Sequence, residues 1–191
     1  MRFLPIFIAL VALAGCQKQA EAPANQAAPA AAEAGPQKGI DRSHKGQPAP
    51  AVAFTWDEDE IKLSDDRGVP TLVNLWATWC APCVKELPTL DRLVSLKGPA
   101  LNVVAVSQDS GPHASVVAFL HKLKLTNLET IGAFQDPKMN LSGALGPDTV
   151  LPTTILYDAE GKEVWRYVGD LDWTSPEAAK LLSEASAPAK G

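Results

Sequence analysis

A pair of cysteines lies where a buried strand is expected to give way to a helix. Cys80 and Cys83 follow an almost continuously apolar run at residues 71–77, which is typical of a central strand covered on both faces. Two cysteines three residues apart share one helix face, with Cβ atoms roughly 5–6 Å apart, and can form a disulfide. At a helix start, the first sulfur also faces free backbone N–H groups and the positive end of the helix dipole, which favour its thiolate. The spacing therefore predicts a reversible dithiol.

The pattern on either side of the pair predicts an α/β fold. A helix is expected over residues 82–97, because apolar side chains recur there at helical spacing, and a buried strand over residues 101–107 completes a βαβ unit. Short strands at residues 51–56 and 61–63 flank an acidic turn and predict an N-terminal hairpin. Further elements are expected at residues 110–124 (helix), 130–133 (strand), 136–145 (helix), 151–157 and 163–168 (strands) and 175–185 (helix).

The first fifteen residues have the pattern of a signal peptide. Arg2 precedes an apolar run that is too short to span a bilayer comfortably. The run ends Leu13-Ala14-Gly15-Cys16, which resembles a bacterial lipobox, where cleavage precedes a cysteine that then carries lipid. We therefore expect residues 1–15 to be a lipoprotein signal peptide and Cys16 to be lipidated. The alternative is an ordinary signal peptide followed by an unrelated cysteine.

A low-complexity segment follows the predicted lipidation site. Residues 17–39 consist mostly of Ala, Pro, Gln and Glu, a composition that buries too little apolar surface to offset the entropy of ordering. We expect residues 16–45 to be a disordered, lipid-anchored linker. A single globular domain over residues 46–187 and a short tail at residues 188–191 complete the predicted organisation.

The charge of the chain argues against a nucleic-acid partner. Its 17 basic and 22 acidic residues give a net charge of −5, and no dense block of Lys and Arg interrupts this acidic balance. Nucleic-acid binding proteins present a basic patch or stripe. We therefore expect proteins, rather than nucleic acids, to be the partners of this domain.

Motifs around the cysteine pair resemble a known family. They comprise Gly46-Gln47-Pro48-Ala49-Pro50, a Trp-x-x-Trp pattern at Trp76 and Trp79 before the cysteines, Glu86-Leu87-Pro88, Leu151-Pro152-Thr153-Thr154 and Gly169-Asp170-Leu171-Asp172-Trp173. Over residues 46–185 the chain resembles membrane-anchored thiol:disulfide oxidoreductases of the TlpA/ResA type, and most closely the TlpA branch. The resemblance implies a thioredoxin-like fold: a central mixed sheet flanked by helices, with an N-terminal β-hairpin and a small central insertion.

The cysteine pair and a distant proline carry the expected chemistry. Cys80, at the exposed first turn, is expected to attack, and Cys83, one turn further in, to resolve the mixed disulfide. The resemblance implies that Pro152 is cis and lies beside the sulfurs. The backbone of Leu151 would then pair with an extended substrate segment. Trp79 and Pro82 are expected to complete the substrate-docking surface.

Two polar positions bear on proton transfer. Glu86 lies one helical turn after Cys83 and matches an acidic residue that helps proton transfer in ResA-like proteins, so Cys80, Cys83 and Glu86 are the candidate catalytic residues. The alternative for Glu86 is a solvated helix glutamate. Asn74 interrupts the apolar strand where cytoplasmic thioredoxins place a buried Asp, and an amide cannot accept that proton.

These observations predict a periplasmic reductase of protein disulfides, anchored by lipid and supplied with electrons by a membrane thiol relay. By resemblance, its targets would be apocytochromes c or copper-site proteins of respiratory oxidases. We expect a monomer whose only redox centre is the Cys80–Cys83 disulfide, without cofactor or metal, and with His44, His113 and His121 at the surface. The alternatives are a disulfide oxidase or isomerase, and a module that binds Cu(I) through the two cysteines.

Overall fold

The computed structural model describes residues 37–65, 68–131 and 133–186. These residues form eight strands and five α-helices. The strands are β1 (Gly39–Asp41), β2 (Ala53–Trp56), β3 (Asp59–Lys62), β4 (Thr71–Trp76), β5 (Asn102–Ser107), β6 (Phe134–Gln135), β7 (Thr153–Tyr157) and β8 (Glu163–Val168). The helices are α1 (Ala81–Lys97), α2 (His113–Lys122), α3 (Thr126–Ile131), α4 (Asn140–Leu145) and α5 (Pro176–Leu182). Their order along the chain is β1-β2-β3-β4-α1-β5-α2-α3-β6-α4-β7-β8-α5.

The strands form one mixed sheet in the order β1-β8-β7-β4-β5-β6-β2-β3. The central strand β4 runs parallel to β5 and antiparallel to β7. All six of its residues are buried, because apolar side chains point to both faces. Leu72 and Trp76 pack in the larger cluster with side chains from α1, α2 and α5, whereas Val73 and Leu75 pack in the smaller cluster with side chains from β2 and α4. This arrangement confirms the predicted thioredoxin-like fold.

The helix that carries the cysteines forms as its sequence indicates. Cys80 is the N-cap of α1, and Pro82 occupies the first helical turn, where a proline costs no hydrogen bond. The apolar residues Leu87, Leu90 and Leu93 face the core and are fully or almost fully buried. Helix α1 ends at Gly98, whose φ of 50° lies in the left-handed region that favours glycine.

The ordered domain begins earlier than expected. Residues 39–41 belong to the segment predicted to be a disordered linker, yet they form strand β1, which pairs antiparallel with β8 from Gly39 opposite Val168 to Asp41 opposite Arg166. The predicted boundary at residue 46 is therefore wrong. The physical reason is that an edge strand offers unpaired backbone groups, so a short neighbouring segment can pair with it without large apolar side chains.

The region between α2 and β7 also differs from the prediction. The strand expected at residues 130–133 is wrong, because residues 126–131 form helix α3 and the strand follows as β6. The carboxylate of Asp91, in α1, accepts hydrogen bonds from the backbone N–H groups of Asn127 (2.9 Å) and Leu128 (3.0 Å). This cap comes from a residue distant in sequence. Local patterns therefore could not reveal it.

Several predictions concern residues outside the described ranges. The signal peptide at residues 1–15, the lipidation of Cys16, most of the linker and the tail at residues 188–191 all lie there. Among the described helices, none combines the length and apolar character needed to cross a membrane.

Candidate active site

Cys80 and Cys83 form a disulfide at the start of α1. Their sulfurs are 2.04 Å apart and their Cα atoms 5.3 Å apart. Cys80 is 7% exposed and Cys83 is 0% exposed. Cys80 is thus the more accessible of the two, although it is more covered than the sequence suggested. The helix start places its sulfur beside backbone N–H groups that lack helical partners, which favours a thiolate there after reduction.

The loop before the cysteines is held by Asp109, which follows β5. The carboxylate of Asp109 accepts hydrogen bonds from the backbone N–H of Thr78 (2.9 Å) and from its hydroxyl (2.6 Å). The hydroxyl of Ser107 donates to the same carboxylate at 2.6 Å. The turn that leads from β4 into Cys80 is therefore attached to the neighbouring strand. Sequence analysis missed Asp109, since nothing local to it signals a contact with Thr78.

The surface beside the disulfide is apolar and open. Trp79 is 64% exposed, and Ala81 and Pro82 are exposed as well. Trp76, three residues earlier, is instead buried at 1% exposure and packs against Phe119 with ring centroids 6.1 Å apart. The two tryptophans of the Trp-x-x-Trp pattern thus have different roles, one in the core and one at the surface next to Cys80.

The peptide bond between Leu151 and Pro152 is cis, as the resemblance implied. Thr153, the next residue, pairs with Leu75 in the antiparallel register of β7 and β4. This pair is the last of the register, and β4 continues from it towards Cys80, so Pro152, which precedes Thr153, lies at the same end of the sheet. The carbonyl of Pro152 accepts a hydrogen bond from the backbone N–H of Gly169 at 2.9 Å. The structure thus places Leu151 and Pro152 at the same end of the sheet as the disulfide.

Glu86 is buried rather than solvated, with 2% exposure. One carboxylate oxygen, Oε1, accepts a hydrogen bond from the side-chain amide of Asn74 at 2.8 Å. The other oxygen, Oε2, accepts from the backbone N–H of Leu171 and from the indole N–H of Trp173, each at 3.1 Å. The interpretation of Glu86 as a solvated helix residue is therefore wrong. Leucines at the neighbouring helical positions draw this face of α1, and Glu86 with it, into the core.

The surroundings of Glu86 adjust its affinity for a proton. Burial raises the pKa of Glu86 from 4.5 to about 7, whereas the hydrogen bonds from Asn74, Leu171 and Trp173 act in the opposite direction. The nearby charge of Asp170 is a smaller contribution to the same rise. All three donors are neutral N–H groups, so they stabilise the carboxylate without cancelling its charge. A carboxyl group with this pKa can exchange a proton near neutral pH.

Asp170 joins the segment after β8 to two lysines. Its carboxylate accepts hydrogen bonds from Lys38 (2.7 Å), which precedes β1, and from Lys85 (2.8 Å), which precedes Glu86 in α1. These bonds and charges lower the pKa of Asp170 to about 2. Asp170 therefore stays ionised while Glu86 titrates.

The chain is similar in sequence and structure to known proteins. A family model, Redoxin, matches residues 44–182. The chain belongs to the redoxin family. Thiol-disulfide oxidoreductase ResA of Bacillus cereus (strain ZK / E33L) is 29% identical over 128 residues, which cover 65% of this redoxin and 70% of ResA.

Two further comparisons agree. Thiol:disulfide interchange protein DsbE of Pseudomonas fluorescens biotype C is 32% identical over 148 residues, which cover 73% of this redoxin and 79% of DsbE. A Chlorobium tepidum structure assigned as a thiol:disulfide interchange protein DsbE has a TM-score of 0.64 and 26% identity. The structural alignment covers 75% of this redoxin and 98% of the Chlorobium tepidum chain. Together with the disulfide, these findings show a thiol:disulfide oxidoreductase of the ResA/DsbE type.

The side chains of His44 and His113 contact groups other than the cysteines, and His121 is exposed. A ring nitrogen of His113, Nε2, lies 2.7 Å from the carbonyl oxygen of Ala133, and the other, Nδ1, lies 3.6 Å from the carboxylate of Asp57. His44 lies 3.9 Å from the carboxylate of Asp41. Across residues 37–65, 68–131 and 133–186, no group of three or more His, Cys, Asp or Glu side chains is arranged to hold a metal ion. His113 instead links the start of α2 to the segment before β6.

Sequence analysis identified Asn74 and Glu86 separately but missed their contact. Asn74 interrupts the apolar run of the central strand, and such an interruption is a signal of a buried polar partner. Its amide also donates to the hydroxyl of Thr154 at 2.9 Å. Trp173 lies 87 residues after Glu86, and no spacing rule connects the two positions.

Proposed function

We propose that this redoxin reduces disulfide bonds of other proteins. The observation that carries the proposal is the Cys80–Cys83 disulfide at the N-terminus of α1, one helical turn from a buried carboxyl group with a pKa of about 7. Ala81 and Pro82, between the cysteines, bring neither a charge nor an imidazole to stabilise a thiolate. Strong oxidants of this superfamily depend on a stabilised reduced form. The dipeptide therefore favours a reductant.

The reaction would proceed through two thiol–disulfide exchanges. The Cys80 thiolate attacks one sulfur of the substrate disulfide, breaks the S–S bond and expels the other sulfur as a thiolate. The Cys83 thiol then gives its proton to the Glu86 carboxylate and attacks the Cys80 sulfur, which releases the second substrate thiolate. Two electrons thus pass from the cysteine pair to the substrate, and Glu86 passes the proton to solvent or to a released thiolate.

The substrate would dock on the open apolar surface beside the disulfide. The exposed ring of Trp79 and the exposed Pro82 offer contacts on one side of Cys80. The backbone next to the cis bond at Leu151 and Pro152 supplies hydrogen-bonding groups for an extended segment. A substrate cysteine in an extended, flexible stretch therefore fits this surface better than one within a helix.

The N-terminal pattern supports a location outside the cytoplasm. The run ending in Leu13-Ala14-Gly15-Cys16 supports export and lipid attachment at Cys16, with electrons supplied through a membrane thiol relay to the periplasmic face. Cells that express the wild-type protein should incorporate a labelled fatty acid into it, and replacement of Cys16 by Ala should abolish this label and leave thiol exchange intact. A wild-type protein that takes up no label would contradict the lipid anchor.

By its resemblance to the TlpA/ResA type, the protein would act on apocytochromes c or on copper-site proteins of respiratory oxidases. The Cys83→Ser variant, expressed in the native cell envelope, should accumulate mixed disulfides between Cys80 and such a substrate, because the second exchange cannot occur. The matched Cys80→Ser variant should accumulate none. Adducts with small thiols alone would contradict a dedicated protein substrate.

The direction of electron flow can be tested separately. Equilibration with glutathione should give a reduction potential closer to that of thioredoxin, about −270 mV, than to that of DsbA, about −120 mV. A value near the upper figure would instead indicate an oxidase. Retention of Cu(I) by the reduced protein through gel filtration would indicate a copper-binding module.

A further inference from the structure

The segment of residues 169–173, between β8 and α5, links several parts of the active site. We call it the post-β8 segment. Its backbone reaches the cis proline through Gly169 and reaches Glu86 through Leu171. Its final residue, Trp173, donates its backbone N–H to the hydroxyl of Thr89 at 3.1 Å. The segment therefore joins the start of β7 to the first turns of α1.

The indole ring of Trp173 has a defined orientation. It is 1% exposed and lies parallel to the ring of Trp165, with centroids 6.4 Å apart and planes 7° apart. Tyr167 packs edge-on against it, with centroids 6.2 Å apart. Held between these rings and Thr89, the indole directs its N–H at Oε2 of Glu86. The donor is thus fixed by packing that is independent of Glu86.

We propose that Trp173 is a positioning residue of the exchange reaction: its indole N–H holds Glu86 as a carboxylate one helical turn from Cys83, ready to accept the thiol proton. The inference rests on the proposed role of Glu86 as that proton acceptor. Trp173 itself would touch neither the sulfurs nor the substrate. Its contribution would be to decide the pH at which Glu86 becomes a base.

The charged groups around Glu86 support this assignment. Asp170, on the post-β8 segment, opposes the negative charge of Glu86, but its own charge is matched by Lys38 and Lys85. Tyr167, on β8, has a raised pKa and stays neutral near pH 7. On α1 the titratable neighbours are Lys85 and, once they are reduced, the two cysteines. Since the lysines are bonded to Asp170, the ionised form of Glu86 depends on the neutral donors.

The three neutral donors differ in how easily they can be removed by mutation. The Asn74 amide lies in the central strand β4, and the backbone N–H of Leu171 cannot be removed by ordinary substitution. The indole N–H of Trp173 can be removed while an aromatic ring remains. A hydrogen bond to a charged group is strong enough to move a pKa by about one unit. Loss of the indole donor should therefore shift Glu86 towards its protonated form.

The test uses the full oxidised protein and the 13C resonance of the Glu86 carboxyl group. In Trp173→Phe, its titration midpoint should move upward by about one pH unit. The pH–rate profile of exchange should move with it, so that the rate at pH 7 falls about fivefold. Trp56→Phe is the matched control, because Trp56 lies in β2, is 43% exposed and packs against Phe134 rather than Trp173, so it should leave the midpoint in place.

A second measurement needs no substitution and so does not depend on a variant that folds. In the wild-type protein, the indole 15N–1H resonance of Trp173 should titrate with the same midpoint as the Glu86 carboxyl group, whereas that of Trp56 should not. A Trp173 resonance that stays constant while Glu86 titrates would overturn the proposal, as would a folded Trp173→Phe variant with an unchanged midpoint. These results are separable from the proposed function, since capture of substrates by Cys83→Ser does not depend on Trp173.

Discussion

Two buried glutamates of this redoxin have opposite surroundings. Glu163, in β8, is 3% exposed and accepts hydrogen bonds from the guanidinium group of Arg166 at 2.6 Å and 3.0 Å. Glu86, in α1, is equally buried but accepts only neutral N–H donors among its described contacts. The Glu163 carboxylate is therefore paired with a cation, whereas the Glu86 carboxylate is not.

The difference shows that burial alone does not mark a functional carboxyl group. A buried ion pair keeps both charges because each stabilises the other, so it can hold structure together without exchanging protons. A buried carboxyl group with neutral donors remains close to the balance between its two forms, which is what proton transfer requires. Glu86 has that property and lies one helical turn from Cys83, whereas Arg166 links Glu163 to the carbonyl of Leu145 at the end of α4.

The largest expected effect is on stability and comes from breaking the ion pair between Glu163 and Arg166. Arg166→Met would leave the Glu163 carboxylate buried without a cation, which typically costs about 3–5 kcal/mol of unfolding free energy. Urea unfolding of the oxidised protein measures this loss. Arg42→Met is the control: the Arg42–Glu184 pair is half-exposed, and its removal should cost less than about 1 kcal/mol. Equal losses in the two variants would contradict the assigned role of the buried pair.

The unmatched glutamate should instead make stability depend on pH. Because the pKa of Glu86 rises from 4.5 to about 7 on folding, the folded state binds the proton more tightly than the unfolded state. Stability is therefore lost as pH rises through that window, by about 3 kcal/mol in total. Urea unfolding of the oxidised protein between pH 4.5 and 8 measures the slope, and Glu86→Gln should reduce it. The same slope in both proteins would contradict the assignment.

A smaller effect, on the pH dependence of exchange, is expected when the amide of Asn74 in β4 is replaced by a carboxyl group. In Asn74→Asp, the new carboxyl group would lie in contact with that of Glu86. Two carboxyl groups in contact do not readily ionise together, so the pair would retain one proton to higher pH. The acidic limb of the exchange rate should move upward by at least about one pH unit. Thr154→Val removes the other partner of the Asn74 amide without adding charge and should move it far less. A limb that stays in place in Asn74→Asp would show that Asn74 does not influence the proton carrier.

The smallest effect concerns the charge of Asp170. Asp170→Asn removes a negative charge that raises the pKa of Glu86. The titration midpoint of Glu86 should therefore fall, by only about a few tenths of a pH unit because salt screens part of the interaction between the two carboxylates. Carboxyl 13C titration measures the change. Asp172→Asn should leave the midpoint unchanged, because Asp172 bonds to Thr174 rather than to this cluster. An upward shift in Asp170→Asn would contradict the electrostatic description of the site.

The sheet centre and the cysteine helix were predictable because their signals are local. The apolar run of β4, the cysteine spacing and the helical periodicity of α1 all lie within residues 71–97. Strand β1 was missed because its pairing depends on the free edge of β8, far along the chain. Helix α3 was missed because its cap is Asp91.

The candidate site was predictable as a set of residues but not as a network. Cys80, Cys83, Glu86 and Pro152 each have a local motif, and the structure brings them to one end of the sheet. The partners that give Glu86 its proton affinity come from β4 and from the post-β8 segment. Only the folded chain brings these donors together, so the pKa of Glu86 could not be read from the sequence.

The pH dependence of the second exchange step tests most directly whether Glu86 serves the cysteine pair. A mixed disulfide between Cys80 and a chromophoric thiol can be formed at low pH, where the Cys83 thiol is protonated, on the wild-type protein and on Glu86→Gln. Release of the thiol by Cys83 can then be followed by stopped flow after a jump to each test pH. The wild-type rate should rise with pH around a midpoint near the Glu86 pKa of about 7, and Glu86→Gln should lose this limb and release the thiol more slowly. An identical midpoint and rate in both proteins would contradict a role for Glu86 in proton transfer.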